Sequence, residues 1–139
     1  MPTADPRKLV RVIYSYTAKD GRGRLNARLS QGPLELGRLD LGFTYQAQPE
    51  IHGREASYAA ATALARRLAD MGLRRVELLG PDGELAEDVV TRRRLPAALT
   101  VPYITLGCAM NRFLESRIGV AEPAASLLVG APRSYRRSA

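Results

Sequence analysis

This chain of 139 residues has one cysteine, one histidine, no tryptophan and two phenylalanines. A single cysteine, Cys108, excludes an internal disulfide and fits a reducing compartment. One histidine and one cysteine leave no ligand set for a zinc site. No apolar run approaches the ~18 residues of a membrane span. The opening Met1-Pro2-Thr3-Ala4-Asp5-Pro6 has no apolar stretch behind a basic one, so no signal peptide is expected. Together these point to a cytoplasmic protein. Lysine is scarce as well: 19 of the 21 basic residues are arginine, and the net charge is +7. That balance favours anionic partners, nucleic acid or an acidic protein. A GC-rich genome would produce the same arginine and alanine bias with no functional content.

The length suits one domain with a sizeable core. Residues 1–7 hold two prolines and no periodicity, and read as a loose arm. Leu9 to Tyr16 is rich in β-branched and aromatic residues and predicts a strand. Lys19-Asp20-Gly21-Arg22-Gly23 is a turn. Arg24 to Gln31 alternates, with Leu25, Ala27 and Leu29 on one face. Gly32-Pro33 breaks it, and Leu34 to Phe43 follows as a third strand. A shift in its alternation near Gly37 predicts a bulge. The three strands form an antiparallel meander.

A helix begins near Arg54 after a loop. Ala56, Ala60, Leu64, Leu68 and Met71 share one face, seven alanines between 56 and 69 favour helix, and Gly72 closes it. Val76 to Leu79 is a short strand, parallel to an earlier one because a helix crosses between them. Gly83 to Arg94 predicts a second helix, with Leu85, Val89 and Val90 inward. Thr105 to Arg117 predicts a third, with Leu106, Met110, Phe113 and Leu114 inward; the 97–105 segment before it stays open. Arg117 to Val120 is a short fifth strand, and Glu122 to Val129 a final helix. Residues 131–139 form a basic tail behind a single domain at 8–130.

Strand, strand, strand, helix, strand, helix, helix, short strand, helix resembles a ribonuclease H domain. Three local patterns carry the resemblance. Ala56-Ser57-Tyr58 matches the family's Ala-Glu-Tyr, and Asp82-Gly83-Glu84-Leu85 its Asp-Ser-x-Leu. Phe113 through Leu128 is similar to the family's ending, with Ala125-Ser126 in place of Ala-Asp. The resemblance implies an α/β fold: a mixed five-stranded sheet, three antiparallel strands then parallel crossovers, with helices packed on it.

The family cleaves the RNA strand of RNA–DNA hybrids using carboxylates that hold two divalent ions. Carried onto this chain, the first aspartate falls on Tyr16, or Ser15 in a slipped register. The helix glutamate falls on Ser57. The junction aspartate falls on Asp82, or on Pro81 if the preceding strand is aligned, and the late aspartate on Ser126. The resemblance therefore implies a catalytically degenerate domain that binds nucleic acid, or serves assembly, without a cofactor. The alternative is an active Mg²⁺-dependent nuclease whose rearranged site uses Asp82, Glu55 and Asp20 or Asp40. A third reading is a homodimer formed through an edge strand of the 24–45 meander or the apolar faces of 97–114.

Several residues have plainer readings. Asp82 suits a turn and helix N-cap. Glu55 suits a first-turn charge complementing the helix dipole. His52 suits a surface loop, and Cys108 a buried inert thiol. Arg92, Arg93 and Arg94 form a local concentration of charge. With Lys19, Arg22 and Arg24 they are the candidate contacts to a phosphate backbone, against the alternative of a solvated loop. Tyr14, Tyr16 and Tyr45 could stack on bases or simply pack the sheet.

Overall fold

The computed structural model describes residues 4–51, 53–91 and 95–121. Its five strands are β1 (Val10–Lys19), β2 (Arg22–Gln31), β3 (Leu34–Thr44), β4 (Arg75–Gly80) and β5 (Glu115–Val120). They lie in the order β3-β2-β1-β4-β5. The first three pair antiparallel; β1 with β4 and β4 with β5 pair parallel. Three α-helices complete the described residues: α1 (Arg54–Asp70), α2 (Gly83–Thr91) and α3 (Thr100–Met110). This is the expected α/β fold with a mixed five-stranded sheet.

Local chemistry sets the turns. Asp20 and Gly21 both take left-handed φ, 52° and 85°, as a two-residue hairpin turn requires. Opposite Leu29 and Ser30 the β3 register slips by one residue at Leu36, beside Gly37 at φ 155°, so the predicted bulge is present. Gly72, at φ 88°, ends α1. Its N–H bonds to the Ala69 carbonyl and the Leu73 N–H to the Leu68 carbonyl, a Schellman closure.

The core lies between the sheet and the helices. Val10, Val12 and Tyr14 of β1 and Leu25, Ala27 and Leu29 of β2 face Ala60, Ala61, Leu64, Ala65 and Leu68 of α1. Burial on α1 is wider than one stripe because the helix packs against both the sheet and α3. Met71, expected inward, sits at the C-cap and is exposed. β4 is an interior strand, between β1 and β5, and five of its six residues are buried.

The second half departs from the sequence reading. α3 runs from 100 to 110, not 105 to 117, and the open 97–105 segment becomes a 3₁₀ turn (Ala97–Leu99) leading into it. Pro102 is tolerated there because its missing N–H falls in the first turn. Beyond Met110 the chain turns directly into β5, which starts at Glu115 rather than Arg117. Leu106 and Met110 are buried on α3 and Phe113 just after it, but Leu114 is exposed. α2 is described as far as Thr91, the expected 92–94 lying outside the described residues, with Leu85, Ala86 and Asp88 buried and Val89 and Val90 only partly so. Cys108, expected buried, is exposed, because α3 presents Val101, Ile104 and Cys108 outward. Residues 4–8 are tied down where a loose arm was expected: buried Gln31 accepts from the Asp5 N–H and donates to the Asp5 and Lys8 carbonyls. The expected helix at 122–129 and tail at 131–139 lie outside the described residues.

Gly80 closes β4 against the Tyr14 ring. A Cβ there would fall 2.4 Å from the ring's Cζ. Tyr14 is buried, so the ring cannot swing aside freely. Gly80→Ala should destabilise the fold by about 1–3 kcal/mol, as overpacking does; urea unfolding monitored by circular dichroism measures it.

Candidate functional site

The parallel register of β1 and β4 pairs Ile13 with Leu79. Continuing it sets Tyr14 beside Gly80 and Tyr16 beside Asp82, just past the strand end. Ser57 faces the same point from the first turn of α1. The Tyr16 hydroxyl donates to Asp82 Oδ2 at 2.6 Å, and the Ser57 hydroxyl donates to the same oxygen at 2.6 Å. Both are short, as hydrogen bonds to a carboxylate are. Three of the four positions carried over from the resemblance thus meet around one oxygen atom. Ser126 lies outside the described residues.

These side chains line a cleft of about 310 Å³ together with Arg54, Glu84 and Asp88. Arg54 holds two carboxylates at once. Its Nη2 donates to Asp88 Oδ2 at 2.7 Å, and its Nε lies 3.0 Å from Glu84 Oε2. The Tyr58 hydroxyl also donates to Asp88 Oδ2, at 2.8 Å. Asp88 is 1% exposed. Sequence reasoning missed this arrangement. The available signal was an acidic residue one helical turn after Leu85, on the buried face of α2.

Burial raises the phenol pKa of Tyr14, Tyr16 and Tyr58 above the ordinary value. For Tyr16 the hydrogen bond to Asp82 adds to burial, and for Tyr58 the bond to Asp88 does. Each phenol is therefore held as a neutral donor. Tyr14 is enclosed in the core, which rules it out for stacking on bases; Tyr16 and Tyr45 are partly accessible.

The carboxylates of the rearranged-site alternative do not gather. Glu55 is buried, not a solvated first-turn charge, and its Oε2 accepts the Gln48 N–H on another side of α1. Asp40 pairs with Arg24 at 2.9 Å on an exposed strand face. Asp20 sits in the β1–β2 turn. Among the described residues no three His, Cys, Asp or Glu side chains form a metal-holding group. Asp82 receives two hydroxyls, and Glu84 and Asp88 are held by Arg54.

Lys19, Arg22 and Arg24 lie together at the β1–β2 hairpin end, lining a shallow depression that reaches Phe43. Phe43 makes an edge contact with Tyr16, ring centres 5.9 Å apart, and a tilted one with Tyr45. A row of rings thus joins the basic hairpin end to the cleft. Arg92, Arg93, Arg94 and His52 lie outside the described residues.

The sheet order and the crossover match solved structures of one kind. The RNase H1 of Halobacterium salinarum superposes with a TM-score of 0.65 at 15% identity, over 85% of this chain and 88% of that one. The N-terminal RNase H domain of a Mycobacterium tuberculosis protein, solved fused to maltose binding protein, gives 0.60 at 14%, over 85% and 84%. LC11-RNase H1 in complex with an RNA/DNA hybrid gives 0.58 at 12%, over 84% and 87%. The fold is that of ribonuclease H. No protein-family model matches the sequence, and no curated protein matches it either. At these identities the likeness establishes the ribonuclease H architecture, and the chemistry must be argued from the cleft. Among the described residues no helix is long and apolar enough to cross a membrane.

The neutral phenols have a consequence at high pH. Below about pH 10, the ordinary tyrosine value, Tyr14, Tyr16 and Tyr58 are protonated in both the folded and unfolded chain, and their full contribution is present. Above it the unfolded chain ionises first, so stability falls as pH rises toward the folded values. Absorbance at 295 nm should show these three phenols ionising only as the near-ultraviolet dichroism collapses. Their titration in the intact fold near pH 10 would contradict the burial.

Proposed function

We propose that this protein is a non-cleaving ribonuclease H-fold domain that binds nucleic acid, an RNA–DNA hybrid or a duplex. The observation that carries this reading is the Tyr16–Asp82–Ser57 contact. Two neutral hydroxyls converge on the one carboxylate at the place where the resemblance implies a cluster of carboxylates. Mg²⁺ takes hard oxygen ligands, chiefly charged ones, and a two-metal displacement needs several. Asp82 is engaged by the two hydroxyls, and the cleft's other carboxylates, Glu84 and Asp88, are paired with Arg54. Arg54, already between Glu84 and Asp88, adds a resident positive charge to the same cleft.

Binding is supported by the net charge of +7 and by the hairpin-end cations linked through Phe43 to Tyr16. It is supported too by the hybrid bound to LC11-RNase H1, a protein of the same fold. In this reading Lys19, Arg22 and Arg24 meet backbone phosphates. Such contacts hold a strand in register without reading bases. They weaken as salt rises, because bound counterions are released on association.

A gel assay on a labelled RNA–DNA hybrid, scoring shift and cleavage in the same samples with Mg²⁺, Mn²⁺ or EDTA, tests both halves. The expected result is a salt-sensitive shift, equal in all three conditions, with the hybrid intact. Arg22→Ala with Arg24→Ala should weaken the shift about tenfold or more. Metal-dependent cleavage abolished by Asp82→Asn would establish a working nuclease instead. Absence of a shift at low salt would leave assembly with a protein partner or a second copy as the function.

Magnesium should also leave the fold unmoved. A ligand that binds only the native state raises its stability with concentration. We expect 10 mM Mg²⁺ to change the melting temperature by less than about 1 °C relative to EDTA, by scanning calorimetry. A rise of several degrees would mean that the cleft holds the ion.

A further inference from the structure

On the opposite side of α1 from the Asp82 cleft, a second groove of about 580 Å³ runs between α1, α3 and the end of β3. Its walls are largely apolar: Tyr45 on one side, Ala59 below, Val101 on the other. At one end stands Glu55, 5% exposed. Its Oε2 is taken by the Gln48 N–H, but its Oε1 is buried with no hydrogen-bond partner. Buried carboxylates are normally paired, because an uncompensated charge in an apolar setting is costly. An orphaned acceptor on a residue that lines a groove is therefore a demand for a donor, best a cationic one. Arg66 lines the same groove, eleven residues further along α1, about 16 Å of helix rise. It is too distant to serve Glu55, and no ion pair joins them.

We propose that this groove binds an organic cation, an ammonium or amidinium head group on an apolar body. The head pairs with Glu55 Oε1, and the body lies along Ala59 and Val101 against the Tyr45 ring. Charge supplies the selectivity, since a neutral molecule of the same shape leaves the carboxylate oxygen unpaired. Cations are also attracted to the aromatic wall.

Titrations with benzamidinium and with benzyl alcohol, a neutral probe of similar size, followed by amide chemical shifts, test the assignment. Benzamidinium should bind at least tenfold more tightly and move the Gln48, Ala59 and Thr62 resonances. Glu55→Gln, which retains an acceptor for Gln48, should bring the two probes within twofold of each other. Asp82→Asn should leave the preference intact, separating this groove from the acidic cleft. Ala59→Leu fills the groove from a partly exposed position while leaving the Glu55 carboxylate in place, and should abolish benzamidinium binding even if Glu55→Gln fails to fold. Equal affinity for both probes in the native protein would overturn the proposal. So would a preference that survives either groove substitution, or shifts confined to Ser57 and Asp82.

Discussion

The parallel pairing of β1 with β4 is the constraint on which the rest depends. It is the strand pairing that joins the antiparallel meander to β4 and β5, and it runs through the most buried strand of the sheet. A strand–helix–strand crossover fixes its handedness, which places α1 over the sheet. Its register then determines the chemistry. An offset of 66 residues sets Tyr14 against Gly80 and Tyr16 against Asp82. A slip of one residue would turn every side chain of β1 to the other face. Tyr16 would leave the cleft and Ser15 would enter it. The burial of Val10, Val12 and Tyr14 on one face is what forbids that slip.

The sequence was legible where periodicity was strong. Alternation through Leu25, Ala27 and Leu29 located β2, and the broken alternation at Gly37 located the bulge. The apolar spacing from Ala56 to Leu68, closed by Gly72, located α1. It was poorly legible from Pro96 to Leu114. There the apolar content is nearly continuous, so no face stands out and a proline inside the first turn hides the helix start. Cys108 illustrates the difficulty: its neighbours Leu106 and Ala109 are buried, and one step around the helix reverses its exposure. At the cleft, Tyr16, Ser57 and Asp82, the positions named from the resemblance, touch one another. Arg54 and Asp88 escaped because an ion pair between separate helices leaves no periodic trace. Glu55 escaped because a first-turn glutamate reads as a solvated dipole partner, and only the fold of the 45–51 loop over it reveals its burial.

The cleft is organised by neutral donors and one guanidinium rather than by clustered negative charge. Two like charges about 4 Å apart at a partly buried site repel by about 4 kcal/mol at an effective dielectric of 20. A carboxylate cluster without ions must bear that cost in the folded state. Hydroxyls at positions 16 and 57 convert repulsion into attraction, since hydrogen bonds to a charged acceptor contribute about 1.5–3 kcal/mol each. Arg54 does the same for Glu84 and Asp88. The charges of the cleft are thus compensated by its own side chains.

Self-compensation also alters what the cleft offers to a nucleic acid. An uncompensated acidic cluster repels a phosphate backbone unless metal ions stand between them. With Asp82 screened by two hydroxyls and Glu84 and Asp88 screened by Arg54, that barrier is reduced without any ion. The cations at the β1–β2 hairpin end then face less opposition from the cleft beside them. On the proposed reading the neutral hydroxyls and the basic rim are therefore not independent: hydroxyls at positions 16 and 57 leave few free carboxylate ligands for an ion and also lower an obstacle to holding a backbone.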